Sequence, residues 1–315
     1  MDMMENFWVA VGAVVPLFTL LFMGLVIKRL KLMTDSELAH TNRMVFTLFF
    51  FCMMFYNIYT TDLAHTVRPY LMLFGGLGVL LVCLLAGLLT CFFDKDNRHR
   101  GAMIQAVFRS NFVLFGIPIV GNIFGDSALA IPSMMIAVIV PIYNVLAVFV
   151  LETFRGGRFA LWPILLGILK NPMIMGAIVA VILRLIDFPV PKPVLKGIGQ
   201  VAAATTPVAL IILGASFKGG SFHNHLPQLV SCVAARLVIV PAVMLGVAIY
   251  LGFRGIELVT LLSIFASPCA VASFAMAQQM GSDADLAGNC VVYTTGLSCL
   301  TIFCWVFALK TMGMF

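Results

Sequence analysis

Apolar residues run along this chain in long blocks, not in the strict alternation of a half-buried strand or the one-sided stripe of a soluble helix. A helix that crosses a bilayer needs about 20 predominantly apolar residues. Blocks of that order fall at 7–27, 43–60, 69–91, 103–124, 128–151, 162–186, 199–217, 229–251, 256–279 and 287–311. The pattern predicts an all-α polytopic membrane protein with ten transmembrane helices and no soluble domain between them. Polar residues are confined to short connections. The longest, around 186–199, holds Pro189, Pro191 and Pro193 and reads as a linker between halves.

Two of the blocks are interrupted at corresponding places. The fourth reads SNFVLFGIPIVGNIFGDSALA, with Gly116, Ile117 and Pro118 in its middle; the ninth reads LLSIFASPCAVASFAMAQQMGSDADLA, broken at Ala266, Ser267, Pro268 and Cys269. In hydrocarbon an unwound backbone is tolerated only where it is buried in protein or lines a cavity. Paired Gly/Pro-interrupted segments therefore point to the substrate site of a secondary transporter.

The halves share further marks. Pro16 in the first span and Pro172 in the sixth sit at similar positions; Pro16 to Pro118 is 102 residues and Pro172 to Pro268 is 96. GDSALA at 125–130 and GSDADLA at 281–287 follow the two breaks. Five spans is an odd number, so successive five-span repeats must lie in opposite orientation. The expected fold is two inverted five-helix repeats with broken helices 4 and 9. The first repeat, with the linker and the start of the sixth span, covers 1–186, and the second covers 162–315.

Composition sharpens the class. Hydrophobic residues make up 62% and charged residues 10% of the chain, mean hydropathy is +1.09, and a soluble domain carries roughly a quarter charged residues. The net charge of +6 comes from basic residues beside apolar runs, which suits membrane orientation and not nucleic acid. One set of connections carries Lys28, Arg29, Lys31, Arg43, Lys95, Arg98, Arg100, Arg155, Arg158 and Lys218, against Arg68, Arg184, Lys192, Lys196, Arg254 and Lys310 on the other. The bias places both termini outside the cytoplasm. The acidic start MDMMENF is not that of a cleavable signal peptide. The eight Cys show no C-x-x-C spacing and read as small packing residues, and the 19 Met as soft packing. His223 and His225 share a loop with no third ligand near them in sequence, so no metal site is expected.

The phrases SNFVLFGIPIVGNIFG (110–125), KNPMIMG (170–176), TTPVALIILGASF (205–217) and ASPCAVASFAMAQQMG (266–281) resemble those of the auxin efflux carrier family of membrane transport proteins. Its bacterial members include malonate and malate permeases, and its plant members are the PIN-FORMED auxin exporters. The resemblance spans both halves. One departure is FTLFFFCMMFYNI in the second span, where relatives have a proline. The resemblance implies a fold like the bile acid/sodium symporters and sodium/proton antiporters. A scaffold domain (spans 1, 2, 6 and 7) would carry a transport domain (spans 3–5 and 8–10). Asn111 matches the asparagine that contacts the substrate carboxylate in the plant carriers' first crossover.

The residues themselves point the same way. Half-helix amino ends carry partial positive charge and favour an anion, which nominates Gly116, Ile117 and Pro118 with Ala266, Ser267, Pro268 and Cys269. Asn111 offers neutral donors near the first break. Arg109 lies deep in the fourth span; two readings stay open, a bidentate carboxylate clamp and snorkelling to the cytoplasmic face. Arg236 opens the eighth span and reads as snorkelling. Ser110, Asn144, Ser263, Ser273, Gln278, Gln279 and Asn289 are weaker candidates.

Neither broken segment contains an Asp or Glu between its first polar residue and its break, which argues against cation-antiporter chemistry and a carboxylate sodium site. Walker A, G-x-S-x-G and H-E-x-x-H motifs are missing, so neither a catalytic residue nor a cofactor is assigned, and coupling to H+ or Na+ is left open. The reading is an elevator-type secondary transporter of a small organic anion, a dicarboxylate such as malonate or malate. Alternatives are an exporter of auxin-like aromatic carboxylates and, in another class, a ligand-sensing receptor on the same fold. The expected partners are the carboxylate and the lipid bilayer, with a homodimer left open and no nucleic acid. The expected location is a bacterial plasma membrane.

Overall fold

The computed structural model describes residues 3–60, 68–125, 128–155, 161–216 and 225–315. Its helices are α1 (Met3–Arg29), α2 (Asp35–Thr60), α3 (Pro69–Phe93), α4 (Asn97–Phe108), α5 (Phe112–Phe124), α6 (Ala130–Arg155) and α7 (Leu161–Lys170). They continue as α8 (Pro172–Leu185), α9 (Lys192–Ser216), α10 (Leu226–Tyr250), α11 (Gly255–Ala266), α12 (Ala272–Gln279) and α13 (Ala284–Thr311). Among the described residues the only extended pairing is an isolated antiparallel bridge between Ser110 and Cys269.

Six of these helices, α2, α3, α6, α9, α10 and α13, are long and apolar enough to cross a membrane. On α3 the leucines at 73, 77, 80, 81, 84, 85, 88 and 89 are exposed. An apolar band of that extent is what a lipid-facing helix presents and what a soluble monomer avoids. The chain is an integral membrane protein.

Local chemistry sets the helix ends. Thr34 and Glu37 form a capping box at the start of α2. Asn171 accepts from the Met173 N–H ahead of Pro172, which splits the expected single sixth span into α7 and α8. Asp94 ends α3. Burial alone would raise its carboxyl pKa, but hydrogen bonds from Gln228, the Asp96 N–H and His99 hold it below the ordinary carboxylate value. Both α2 and α10 contain one wider π turn, at Val45–Phe49 and Ala235–Ile239. Such turns inside α-helices are frequent at functional sites.

Glycine decides the closest helix contacts. A Cβ on Gly24 would strike the Ile211 carbonyl oxygen, and one on Gly214 the Leu21 carbonyl oxygen, so α1 and α9 meet backbone to backbone. Gly176 lets α8 reach the Phe51 carbonyl of α2 in the same way. Small residues allow this approach where packing, not hydrophobic exclusion from water, drives helix association. Against this layer lie α5 and α12, while α4 and α11 pack among α3, α6, α10 and α13; every α11 residue from Leu258 to Ala266 is buried.

The expected break at Gly116–Pro118 is not observed. That stretch lies inside a continuous α5, and the chain instead leaves the helix at Arg109–Asn111. Phe115, Ile119 and Val120, buried on both sides of Pro118, hold α5 together despite the N–H that Pro118 lacks. Gly116 serves packing: a Cβ there would sit 2.5 Å from the Phe112 ring and 3.5 Å from the Ser263 Cβ. The second break falls where the sequence predicts it, after Ala266. Part of GDSALA, residues 126–127, lies outside the described residues.

Candidate functional site

Residues that precede proline avoid the α region, and Ser267 before Pro268 obeys, with φ −64° and ψ 152°. Arg109, the cap of α4, is likewise extended at φ −90°, ψ 109°. The two non-helical segments run antiparallel and satisfy each other. The Asn111 N–H donates to the Pro268 carbonyl (2.8 Å), and the Ala270 N–H to the Arg109 carbonyl (3.1 Å). The Cys269 N–H finds Thr294 Oγ1 of α13 at 3.0 Å.

Unwinding also frees the last carbonyls of α4 and α11, and a single side chain collects them. Arg236, fully buried in the π turn of α10, donates through Nη1 to the Val107 (3.0 Å) and Phe108 (3.5 Å) carbonyls. Its Nε reaches the Ser267 carbonyl at 2.7 Å and its Nη2 the Ile264 carbonyl at 2.8 Å. Two helix carboxyl ends, each worth about half a negative charge, balance one guanidinium. The snorkelling expectation for Arg236 fails because these carbonyls outbid water. Residue type and depth could have signalled it, but no local pattern names the carbonyls.

The amino ends of α5 and α12 border a cavity of about 100 Å³. Its wall comprises Arg109, Ser110, Asn111, Val113 and Leu114 from the first crossing segment and α5, and Ala270, Val271 and Ala272 from the second. Opposite stand Phe50, Met53 and Asn57 of α2, Val140, Tyr143 and Asn144 of α6, and Thr206 and Ala209 of α9. None of these described lining residues is acidic.

Arg109 is 4% exposed, and its acceptors are neutral: Asn144 Oδ1 (2.5 Å), Gln105 Oε1 (3.4 Å) and Met276 Sδ. Three acceptors leave two of the five guanidinium N–H donors unused. It forms no ion pair with a described carboxylate. Asn111 Nδ2 is buried with no hydrogen-bond partner. Ser110 Oγ and Tyr143 Oη lie 2.9 Å apart, and Tyr143 Oη donates to the Ile264 carbonyl at 3.3 Å. The cavity thus joins one incompletely used cation, one orphan amide donor and the positive ends of two helices. Its electrostatics favour an anion.

Of the sequence-predicted residues, Arg109 and Asn111 meet in this cavity, together with the weaker candidates Ser110 and Asn144. Gly116 and Pro118 lie further along α5, and the Ile117 side chain is outside the described residues. Ala266, Ser267, Pro268 and Cys269 are buried in the second segment without lining the cavity. Sequence reasoning missed Tyr143, Thr206 and Asn57, which no motif marks. A larger cavity of about 630 Å³ lies between α3 and α10, lined by Leu73, Leu77, Leu81, Val243 and Val247 among others. It is an apolar, lipid-side groove whose polar lining side chains are Tyr70 and the acidic Glu257, with no cationic side chain among them.

Comparison with known proteins gives the family. A family model described as "Membrane transport protein" matches residues 9–161 and again 157–306. An uncharacterized transporter of Methanocaldococcus jannaschii is 24% identical over 238 residues, covering 72% of this chain and 76% of that protein. An uncharacterized transporter of Methanothermobacter thermautotrophicus is 20% identical over 311 residues, covering 93% and 96%.

Proposed function

Since this chain belongs to the membrane transport protein family, we propose that it is a secondary transporter of a small organic anion, a short-chain dicarboxylate such as malonate or malate. The observation that carries the proposal is the convergence of Arg109, Asn111 and the amino ends of α5 and α12 on one acid-free cavity. A carboxylate there accepts from the Arg109 fork, whose planar donors match two oxygens, and from Asn111 Nδ2. The cavity, about 100 Å³, suits a short carbon skeleton better than a fused aromatic acid. No nucleophile–base pair borders it, so binding and release, not bond-making, are its chemistry.

The same reading takes α4/α5, α7/α8 and α11/α12 as broken spans and α1 as a further one, which with the six long helices makes ten. The contacts of α1 with α9 and of α2 with α8 support a two-fold inverted relation: the first span of each half packs on the second span of the other. In this arrangement α1, α2, α7, α8 and α9 form a scaffold. The remaining helices carry the anion past it in an elevator movement, and both termini face away from the cytoplasm of a bacterial plasma membrane.

Counterflow in proteoliposomes tests the function. Vesicles loaded with malonate or malate should accumulate the labelled anion only when the protein is present. Ligand binding without exchange would identify a receptor instead, and exchange limited to aromatic acids would overturn the dicarboxylate assignment.

A further inference from the structure

Away from the cavity, three connections bring a compact set of ligand-type side chains together. His99 lies in the first turn of α4, His225 is the residue before α10, and Asp283 is the cap before α13. Their ligand atoms all lie within 4.8 Å of one another. His99 Nε2 is 3.4 Å and His225 Nε2 is 3.6 Å from Asp283 Oδ2. The two rings meet edge to face with centroids 4.6 Å apart. The expectation that His225 has no further ligands near it fails, because the fold supplies them from residues 58 and 126 positions away in sequence.

The hydrogen bonds around the cluster orient it. Asp283 Oδ1 accepts from the Leu286 N–H at 2.8 Å as the helix cap, which leaves Oδ2 for the histidines. The turn that delivers Asp283 depends on Gly281 at φ +76°, and is tied to α4 by Ser282 Oγ and the Asp283 N–H, both donating to the Arg98 carbonyl. His99 Nδ1 lies 3.2 Å from Asp94 Oδ2, and Asp94 is itself held by Gln228 Nε2 at 3.0 Å. A carboxylate behind a histidine fixes the tautomer with the proton on Nδ1 and directs the Nε2 lone pair forward, the usual second shell of a metal-bound imidazole. With His99 neutral, that lone pair and Asp283 Oδ2 are two acceptors 3.4 Å apart, an arrangement that a metal ion bridges; with His99 protonated, the same contact is an ion pair.

We propose that His99, His225 and Asp283 form a binding site for a divalent transition-metal ion of the zinc class, with Asp94 as the positioning residue behind His99. Zinc takes His nitrogen and Asp oxygen at about 2.0–2.2 Å in tetrahedral geometry, which sets ligand atoms roughly 3.3–3.5 Å apart. Of the two separations to Asp283 Oδ2, that of His99 Nε2 (3.4 Å) lies on that edge and that of His225 Nε2 (3.6 Å) just beyond it. The fourth position is left to water or an exogenous ligand. An ion here joins the α3–α4 turn, the start of α10 and the start of α13, so it clamps the connections at one end of the helices that carry the crossing segments.

The test uses full-length protein purified without a polyhistidine tag, stripped with EDTA and titrated calorimetrically with ZnCl2. Co2+ absorption serves as a second probe. One Zn2+ per chain is expected, with visible Co2+ bands of four-coordinate intensity. His99→Gln and Asp283→Asn should each weaken binding by more than about 100-fold, and Asp94→Asn by about 10- to 100-fold. Asn at 283 keeps the helix cap, so that variant should fold. His40→Gln, exposed on α2, should bind as the parent does. Failure of the parent to bind Zn2+ overturns the site and leaves a proton as the shared cation. Binding that stays within about tenfold of the parent in both Asp283→Asn and Asp94→Asn also overturns it.

Discussion

Two buried arginines meet at the same crossing, one within it and one reaching it from α10, and they are used differently. Arg236 meets four backbone carbonyls and two helix carboxyl ends. Arg109 meets an asparagine, a glutamine and a thioether, none charged, and borders a cavity. The first is a closed account of donors and acceptors, and the second leaves donors over. A buried charge is tolerated only when paired or hydrogen-bonded. Completeness therefore marks the structural arginine, and incompleteness the one proposed to meet the anion.

Replacing Arg236 should be the most damaging change. Arg236→Gln leaves several buried carbonyls without donors, at about 1–3 kcal/mol each. The expected result is loss of monodisperse protein or a large fall in melting temperature in detergent. Melting equal to the parent's would erase the contrast between the two arginines. At Arg109 the cost should fall on ligand affinity. Arg109→Gln should weaken dicarboxylate binding by about 2–5 kcal/mol, roughly 30-fold or more, with folded yield retained. Arg109→Lys keeps the charge but loses the planar fork and should fall between. Equal affinity for parent, Lys and Gln forms would remove Arg109 from the site.

Asn111→Ala removes an amide that has no protein partner, so stability should hardly change. Affinity should drop by about 1.5–3 kcal/mol, the range for a hydrogen bond to a charged group, or roughly 10- to 100-fold in the calorimetric Kd. A variant with parental Kd and uptake would place the anion elsewhere. The smallest effect belongs to Gly116→Ala. The added methyl meets the Phe112 ring, which turns aside more easily than backbone does. Overpacking costs about 1–3 kcal/mol, and the lower end is expected, read as a modest melting shift with affinity unchanged. Strong loss of binding there would return Gly116 to the site.

The same contrast explains what was legible in the sequence. Spans 3, 5, 8 and 10 follow hydropathy to within several residues, because burial in lipid is a local, compositional demand. The second break is legible because Pro268 constrains Ser267 directly. The first is not, because what opens the chain at Arg109–Asn111 is long-range: Pro268, Ala270 and Arg236 supply the partners for its backbone. Gly116 and Pro118 drew attention by residue type, while the helix tolerated both. Arg109 and Asn111 were legible as polar groups at unusual depth. Tyr143 and Thr206 were not, since each looks like ordinary helix-packing material until the fold turns it toward the cavity. The His99–His225–Asp283 cluster was hidden for the same reason, spread over three connections.

The crossing has a further consequence for how such a cavity diversifies. One wall presents Arg109 and Asn111 from peptide segments locked to one another by backbone hydrogen bonds, so where these two side chains start is set by the crossing and not by their neighbours' side chains. The facing wall, from Phe50, Met53 and Asn57 to Thr206 and Ala209, is made of side chains on intact helices that tolerate exchange. On the proposed anion reading, drift in the facing wall reshapes which molecule fits while Arg109 and Asn111 keep their placement, giving the protein a fixed handle and an adjustable mould.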